Sequence, residues 1–288
     1  MNKRYKVAGH VFEVVLPQDD ALAQEMGQYQ PFLTDNDTVE PVFRLRVVSE
    51  RPVTGDFVQE IHQDDDGSEI KAGRVDGRPC FDFLMYRRWH ARLLTDETYR
   101  EGTLYAESER LFGLNNALMV MFALSTAGQQ TLLFHASVVS YQGAAYLMLG
   151  KSGTGKSTHT RLWLENIEGT ELMNDDNPVV RIVDGKAIAY GSPWSGKTPC
   201  YRNVSYPVGA FVQLSQAPVN EIRRMRGLEA YAAVMASVSG KRWDKKIADG
   251  LHDSENWLVG NVPMFHLRCL PDRDAALTCM NAVKAQHL

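Results

Sequence analysis

The chain has 288 residues, 44% of them hydrophobic and 23% charged, with a formal net charge of −4. That length allows one large domain or two ordinary ones, each with a buried core. The mild acidity and the lack of a Lys/Arg block argue against nucleic acid and anionic membranes as partners, and no apolar run approaches the roughly 20 residues that span a bilayer.

The start, MNKRYKVAGHVFEVVLPQDD, is charged and then strand-like, without the apolar centre of a signal peptide. The cysteines Cys80, Cys200, Cys269 and Cys279 form no CxxC pair, so the expectation is a cytoplasmic protein with reduced thiols. Residues 1–105 read as a β-rich N-terminal domain. HVFEVVL and PVFRLRVV alternate apolar and polar positions, Asp-Gly turns fall at 66–67 and 76–77, and WHARLLTDETYREGTLYA supplies another pair of strands. The period changes over 106–129, where Leu111, Leu114, Leu118 and Phe122 share a helical face and Gly128 suits a stop. A second domain, 106–288, is expected to begin with this helix.

From 131 the reading is TLLFHASVVSY as a strand, AAYLML as its partner, a glycine-rich loop, and a helix from about Lys156. ELMND follows as a short strand, PVVRIV and KAIAYG as a hairpin about Asp184-Gly185, and GAFVQL as a strand. A helix over 228–238, a strand in VPMFHLRCL and a closing helix with Pro271 in its first turn complete the chain. The whole is α/β, a mainly β (α+β) first domain followed by a mixed sheet flanked by helices.

The loop Gly150-Lys151-Ser152-Gly153-Thr154-Gly155-Lys156-Ser157 fits GxxxxGK[ST] between an apolar strand and an amphipathic stretch starting at Thr158. Glycines let successive N–H groups converge on phosphate oxygens, and the following helix points its positive end at the same anion. Lys156 is placed to reach the β/γ-phosphates of ATP, and the Ser157 hydroxyl to ligate Mg²⁺. Such chemistry needs a carboxylate near the metal. Asp175 and Asp176 end an apolar strand, and neighbours on a strand point to opposite faces, so one can serve Mg²⁺ and the other act as base. Before Pro178 the same residues also suit a turn. His135, in a largely apolar strand, is either a satisfied core residue or a group facing that carboxylate.

His135-Ala136-Ser137, then GKSGTGKS, then Asp175-Asp176 resemble the catalytic domain of HPr kinase/phosphorylase and its relative, ATP-dependent phosphoenolpyruvate carboxykinase. His135 precedes Lys156 by 21 positions and Lys156 precedes Asp175 by 19, in the order that family uses. The resemblance covers roughly residues 131–215. It implies a serine kinase in which the loop from Gly150 to Thr158 holds ATP, Ser157 and one aspartate hold Mg²⁺, and the other aspartate takes the acceptor's proton beside His135. Asp175 is assigned as base and Asp176 as the metal-side group, though the sequence does not decide between them. Where the bifunctional family carries a dephosphorylation signature resembling EIRGLG, this chain has GSPWSGKTPCYRN (191–203), so neither phosphorylase activity nor HPr as acceptor is implied.

The expected function is therefore ATP/Mg²⁺-dependent transfer to a serine-type hydroxyl of a peptide or protein. A small-molecule kinase and a nucleotide-binding regulatory module are the alternatives, and a homo-oligomer is compatible with all three. Segment 191–203 reads as a solvated loop or as a lid whose Lys197 and Arg202 meet phosphate or an acidic acceptor. His159 is expected near the helix surface without a role, and SGKRWDKK (239–246) as a solvated turn.

Overall fold

The computed structural model describes residues 1–18, 20–51, 55–65, 67–196 and 198–285. They divide into two units, Met1–Thr126 and Ala127–Leu288, each built on its own mixed sheet.

In the first unit the alternating runs become β1 (Asn2–Val7), β2 (His10–Val15), β3 (Arg44–Val48), β4 (Phe57–Asp65), β5 (Ser68–Val75), β6 (Arg78–Met85), β7 (Arg88–Thr95) and β8 (Glu101–Ala106). Their order in the sheet is β1-β2-β3-β8-β7-β6-β5-β4. The short helix α1 (Leu22–Glu25) and a 3₁₀ turn, Gly27–Phe32, follow β2. Strands β4 to β8 form an antiparallel meander, whereas β3 runs parallel to both neighbours. The expected 76–77 turn joins β5 to β6 with positive φ at both Asp76 and Gly77, the geometry a two-residue hairpin requires. In the other expected turn, Asp66 lies outside the described residues.

Helix α2 (Arg110–Thr126) buries Leu114, Leu118, Met121 and Phe122 and packs on β6, β7 and β8. The helix thus belongs to the first unit, and the division falls after Thr126 rather than before residue 106. The apolar stripe marked a helix but carried no information on which sheet would cover it. Inside the meander, cross-strand partners Asp82 and Arg92 form a bidentate ion pair with both contacts at 2.7 Å, nearly closed to solvent.

The second unit contains β9 (Thr131–Leu133), β10 (Ala136–Tyr141), β11 (Ala144–Leu149), α3 (Lys156–Asn166), β12 (Glu171–Asp176), β13 (Val179–Val183), β14 (Lys186–Tyr190) and β15 (Ser205–Gln216). It closes with β16 (Glu221–Arg224), α4 (Gly227–Met235), α5 (Lys245–Asn261), β17 (Met264–Cys269) and α6 (Arg273–Lys284). The sheet order is β12-β10-β11-β15-β14-β13-β9, with β17 also paired to β15 and β16 to β17. Strand β11 is parallel to β15, and β15 to β17. Helices α3 and α6 bury Trp163, Ala276, Cys279 and Val283 against Tyr146, Met148, Val212, Leu214 and Leu267 on one face of this sheet. Among the described residues no helix is long and apolar enough to cross a membrane.

Three local expectations change. TLLFHASVVSY is two strands, because Phe134 N–H bonds Pro178 O and His135 N–H bonds Ser237 O instead of continuing the ladder. Helix α5 was not anticipated, although Ile247, Leu251, Ser254 and Leu258 are buried at helical spacing and Asp244 caps its start. Pro271 precedes α6 rather than entering its first turn, since the Asp272 carboxylate caps the helix by accepting from Ala275 N–H.

Candidate active site

Topology brings three distant stretches to one sheet edge. Strand β10 lies antiparallel between β11 and β12, so β11 and β12 end on the side where β10 begins. In register, Ala136 faces both Leu149 and Asp176. The residue before Ala136 is His135, the residue after Leu149 is Gly150, and β12 ends on Asp175-Asp176. The carboxyl ends of strands in α/β sheets are where such proteins bind ligands.

The glycine-rich loop closes on itself as its composition requires. Gly150, Gly153 and Gly155 have φ of 149°, 77° and 102°, values that strain any residue with a Cβ. At Gly150 an added Cβ would also lie 2.5 Å from Thr154 Oγ1. Thr154 donates from its hydroxyl to Lys151 O (2.8 Å). Gln216, at the end of β15, donates to Gly153 O (3.2 Å) and ties the loop to the sheet. Helix α3 starts at Lys156 with no side-chain cap, which leaves its first amides open toward the loop.

Lys156 is buried and its Nζ turns inward. It donates to Gly150 O (2.9 Å) and Lys151 O (3.3 Å) and lies 2.8 Å from His135 Nε2. An ammonium only donates, so Nε2 accepts and the ring of a neutral His135 carries its proton on Nδ1. Nδ1 in turn is 3.1 Å from Asp176 Oδ1. The other Asp176 oxygen accepts from Asn177 Nδ2 (2.7 Å). The result is a continuous chain Lys156–His135–Asp176, with His135 and Asp176 side chains each about a third exposed (31% and 34%).

Asp175 points the other way, as neighbours on a strand must. It is buried, and its Oδ1 accepts from the Ser157 hydroxyl at 2.9 Å. The pairing is opposite to the expected one: Asp175 is the partner of the loop serine and Asp176 the partner of the histidine. Ser137 Oγ meets Thr160 Oγ1 (2.9 Å) and pins β10 to α3 beneath the loop. Among the described residues no cluster of three or more His, Cys, Asp or Glu side chains forms a ready metal cage. Ser157 and Asp175 are oxygen donors of the kind Mg²⁺ accepts when nucleotide phosphates supply the remainder.

The described residues of 191–203 are only partly solvated and do not form a free lid. Trp194 is buried, and the segment is sewn along the open edge of β12. Arg202 donates to Leu172 O and pairs with Glu171, both at 2.7 Å. That places it three residues back along the strand, about 10 Å from the Asp pair, and not at the loop. Lys197 lies outside the described residues. His159 is also not at the surface. It is buried in α3, accepts from Trp163 Nε1 on Nε2 (3.2 Å), and its Nδ1 has no hydrogen-bond partner among the described residues. Burial lowers its pKa to about 4. SGKRWDKK likewise is only partly solvated, with Lys241 buried and Arg242 held by the fully buried Glu255 (2.6 Å).

Sequence reasoning missed Asn174, Ser192, Ser195 and Gly196. Asn174 Nδ2 donates to Ser192 Oγ (3.2 Å) and Trp194 O (3.3 Å), and Ser195 Oγ and Gly196 N–H both reach Asp175 O (3.0 and 2.6 Å). The signal was the small, polar composition of SPWSG, which suits close backbone approach, but its target was 18 to 21 residues away in sequence.

No protein-family model matches the chain, and no curated protein matches it. Among solved structures it is similar to the Hpr(Ser) kinase/phosphatase from Coxiella burnetii, at 14% identity and a TM-score of 0.34, over 54% of this chain and 89% of that one. That is a distant neighbour in fold, too loose to place any residue, so the site stands on its own geometry.

Proposed function

We propose that the chain is an ATP-dependent kinase that transfers the γ-phosphoryl group to a serine-type hydroxyl of a peptide or protein. The observation that carries this reading is the convergence of the glycine-rich loop with two differently engaged carboxylates, Asp175 on Ser157 and Asp176 on His135. A nucleotide-binding regulatory module needs the loop but has no use for a solvent-accessible, half-buried carboxylate held by a histidine.

In this reading the loop amides from Gly150 to Thr158 and the open end of α3 bind the ATP phosphates. Lys156 Nζ, which now bonds two loop carbonyls and His135, is the cation those phosphates would meet first. Ser157 and Asp175 would hold Mg²⁺, which supplies charge neutralisation between the β- and γ-phosphates. Asp176 takes the proton from the acceptor hydroxyl as that oxygen attacks phosphorus and ADP leaves. His135 holds the Asp176 carboxylate in place through Nδ1–H. Positioning and charge stabilisation are most of what phosphoryl transfer requires.

The test is calorimetric binding of Mg·ATP to the wild type and Lys156→Ala, followed by a screen of serine peptides and metabolites with labelled ATP. The reading expects binding that Lys156→Ala nearly abolishes and label on a peptide or protein hydroxyl. Equal affinity in the two proteins would overturn it, and label on metabolites alone would move the acceptor to a small molecule.

A further inference from the structure

Asp176 has a φ of 126°, a backbone region that favours glycine and that other residues occupy only when their surroundings hold them there. We infer that the segment Ser192–Gly196 is a strap that imposes this geometry, and that Ser195 and Gly196 are positioning residues aiming the Asp176 carboxylate at His135. The inference rests on the role given to Asp176 above.

The strap is anchored at its start. Ser192, fully buried, accepts from Asn174 Nδ2 and from Trp194 N–H (3.1 Å) and donates to Asn177 O (2.6 Å). Asn174 Oδ1 accepts from Asn177 N–H (3.0 Å). Residues 174 and 177, which bracket the Asp pair, are thus both fixed by the strap or by each other. Ser195 and Asp176 then form an antiparallel bridge; Asp175 O accepts the Gly196 N–H (2.6 Å), and the single proton of the Ser195 hydroxyl is shared between Asp175 O (3.0 Å) and Thr198 O (2.6 Å). The Gly196 N–H on that carbonyl and the Ser195–Asp176 bridge set the orientation of the peptide plane joining Asp175 to Asp176, with the shared Ser195 hydroxyl as a weaker second contact.

Gly196 is there for space rather than for a turn. It is absent from the glycines of positive φ. A Cβ at this position would lie 3.0 Å from Asp176 Cβ and 3.2 Å from its Cγ, so alanine fits the backbone but pushes directly on the carboxylate. A cover that merely closed the edge of β12 would have no reason to touch the Asp176 side chain at its root.

The experiment uses the full chain labelled with ¹⁵N, as wild type, Gly196→Ala and Ser195→Ala. The ring nitrogens of His135 are read at about pH 7.5 and assigned by their loss in His135→Gln. In the wild type Nδ1 carries the proton and is hydrogen-bonded. In Gly196→Ala the Nδ1 signal is expected to move as Asp176 is displaced, with a smaller shift in Ser195→Ala, which keeps the Gly196 donor. Melting temperatures should stay within about 2 °C of the wild type for a surface change of this kind. Mg·ATP affinity should stay within about twofold, since ground-state binding does not use Asp176. Unchanged His135 nitrogens in both variants would overturn the inference, and if Gly196→Ala fails to fold, Ser195→Ala alone decides it. The ring signals need no nucleotide, so they judge the strap even if the wild type fails to bind Mg·ATP, which would sink the kinase reading separately.

Discussion

Acidification should loosen the helix that carries the phosphate-binding residues, and His159 sets the size of the effect. The imidazole sits in the core one turn after Lys156, with Trp163 donating to Nε2. Burial lowers its pKa from 6.5 to about 4, and protonating Nε2 would also break the bond from Trp163. A depressed histidine pKa means the unfolded chain takes up the proton first. The stability that depends on a neutral His159 is therefore complete above pH 6.5 and is lost as the pH falls toward 4. Between about pH 7 and pH 4.5 the linkage relation gives a loss on the order of 2 kcal/mol, a sizeable part of a typical margin of about 5–15 kcal/mol. The assay is urea unfolding followed by tryptophan fluorescence across this range, for the wild type and His159→Gln. Glutamine keeps an acceptor for Trp163 and cannot titrate, so the difference between the two proteins cancels most carboxylate effects. That difference should shift against the wild type by an amount on the order of 2 kcal/mol, starting near pH 6.5. A difference that stays flat to pH 4.5 would refute the reasoning.

Asp176→Asn should bind Mg·ATP about as well as the wild type and lose transfer rate by about 10²–10⁴-fold, the usual worth of a general base. Asp175→Asn should instead weaken the Mg²⁺ dependence, and single-turnover transfer at saturating ATP in both variants separates the roles. Arg202→Ala should leave nucleotide affinity unchanged by calorimetry, because its guanidinium is engaged at the start of β12. Asp82→Ala strands the buried Arg92 charge and should cost the first unit about 3–5 kcal/mol, read as a lowered melting transition.

Much of the local structure was legible in the sequence because its causes are local. GxxxxGKS between an apolar strand and an amphipathic helix specifies the loop, since glycine adopts the φ values at 150, 153 and 155 without the strain a Cβ brings. Asp76-Gly77 and Asp184-Gly185 mark their hairpins for the same reason, and alternation marks the strands on either side. The residues of the candidate site could also be named, because each belongs to a motif that chemistry constrains.

What the sequence did not decide was which of these residues would meet. Asp175 and Asp176 are equivalent as letters. Their partners follow from β12 lying beside β10, which turns Asp175 toward α3 and Asp176 toward His135. His159 is buried beside Trp163, which α6 and the sheet close over, and the assignment of α2 to the first unit depends on which strands present an apolar face to it. The strap was illegible for the same reason. Hydrogen bonds from 192–196 to 174–177 obey no sequence period, and only the exposed edge of β12, a product of the strand order, gives that segment something to bind.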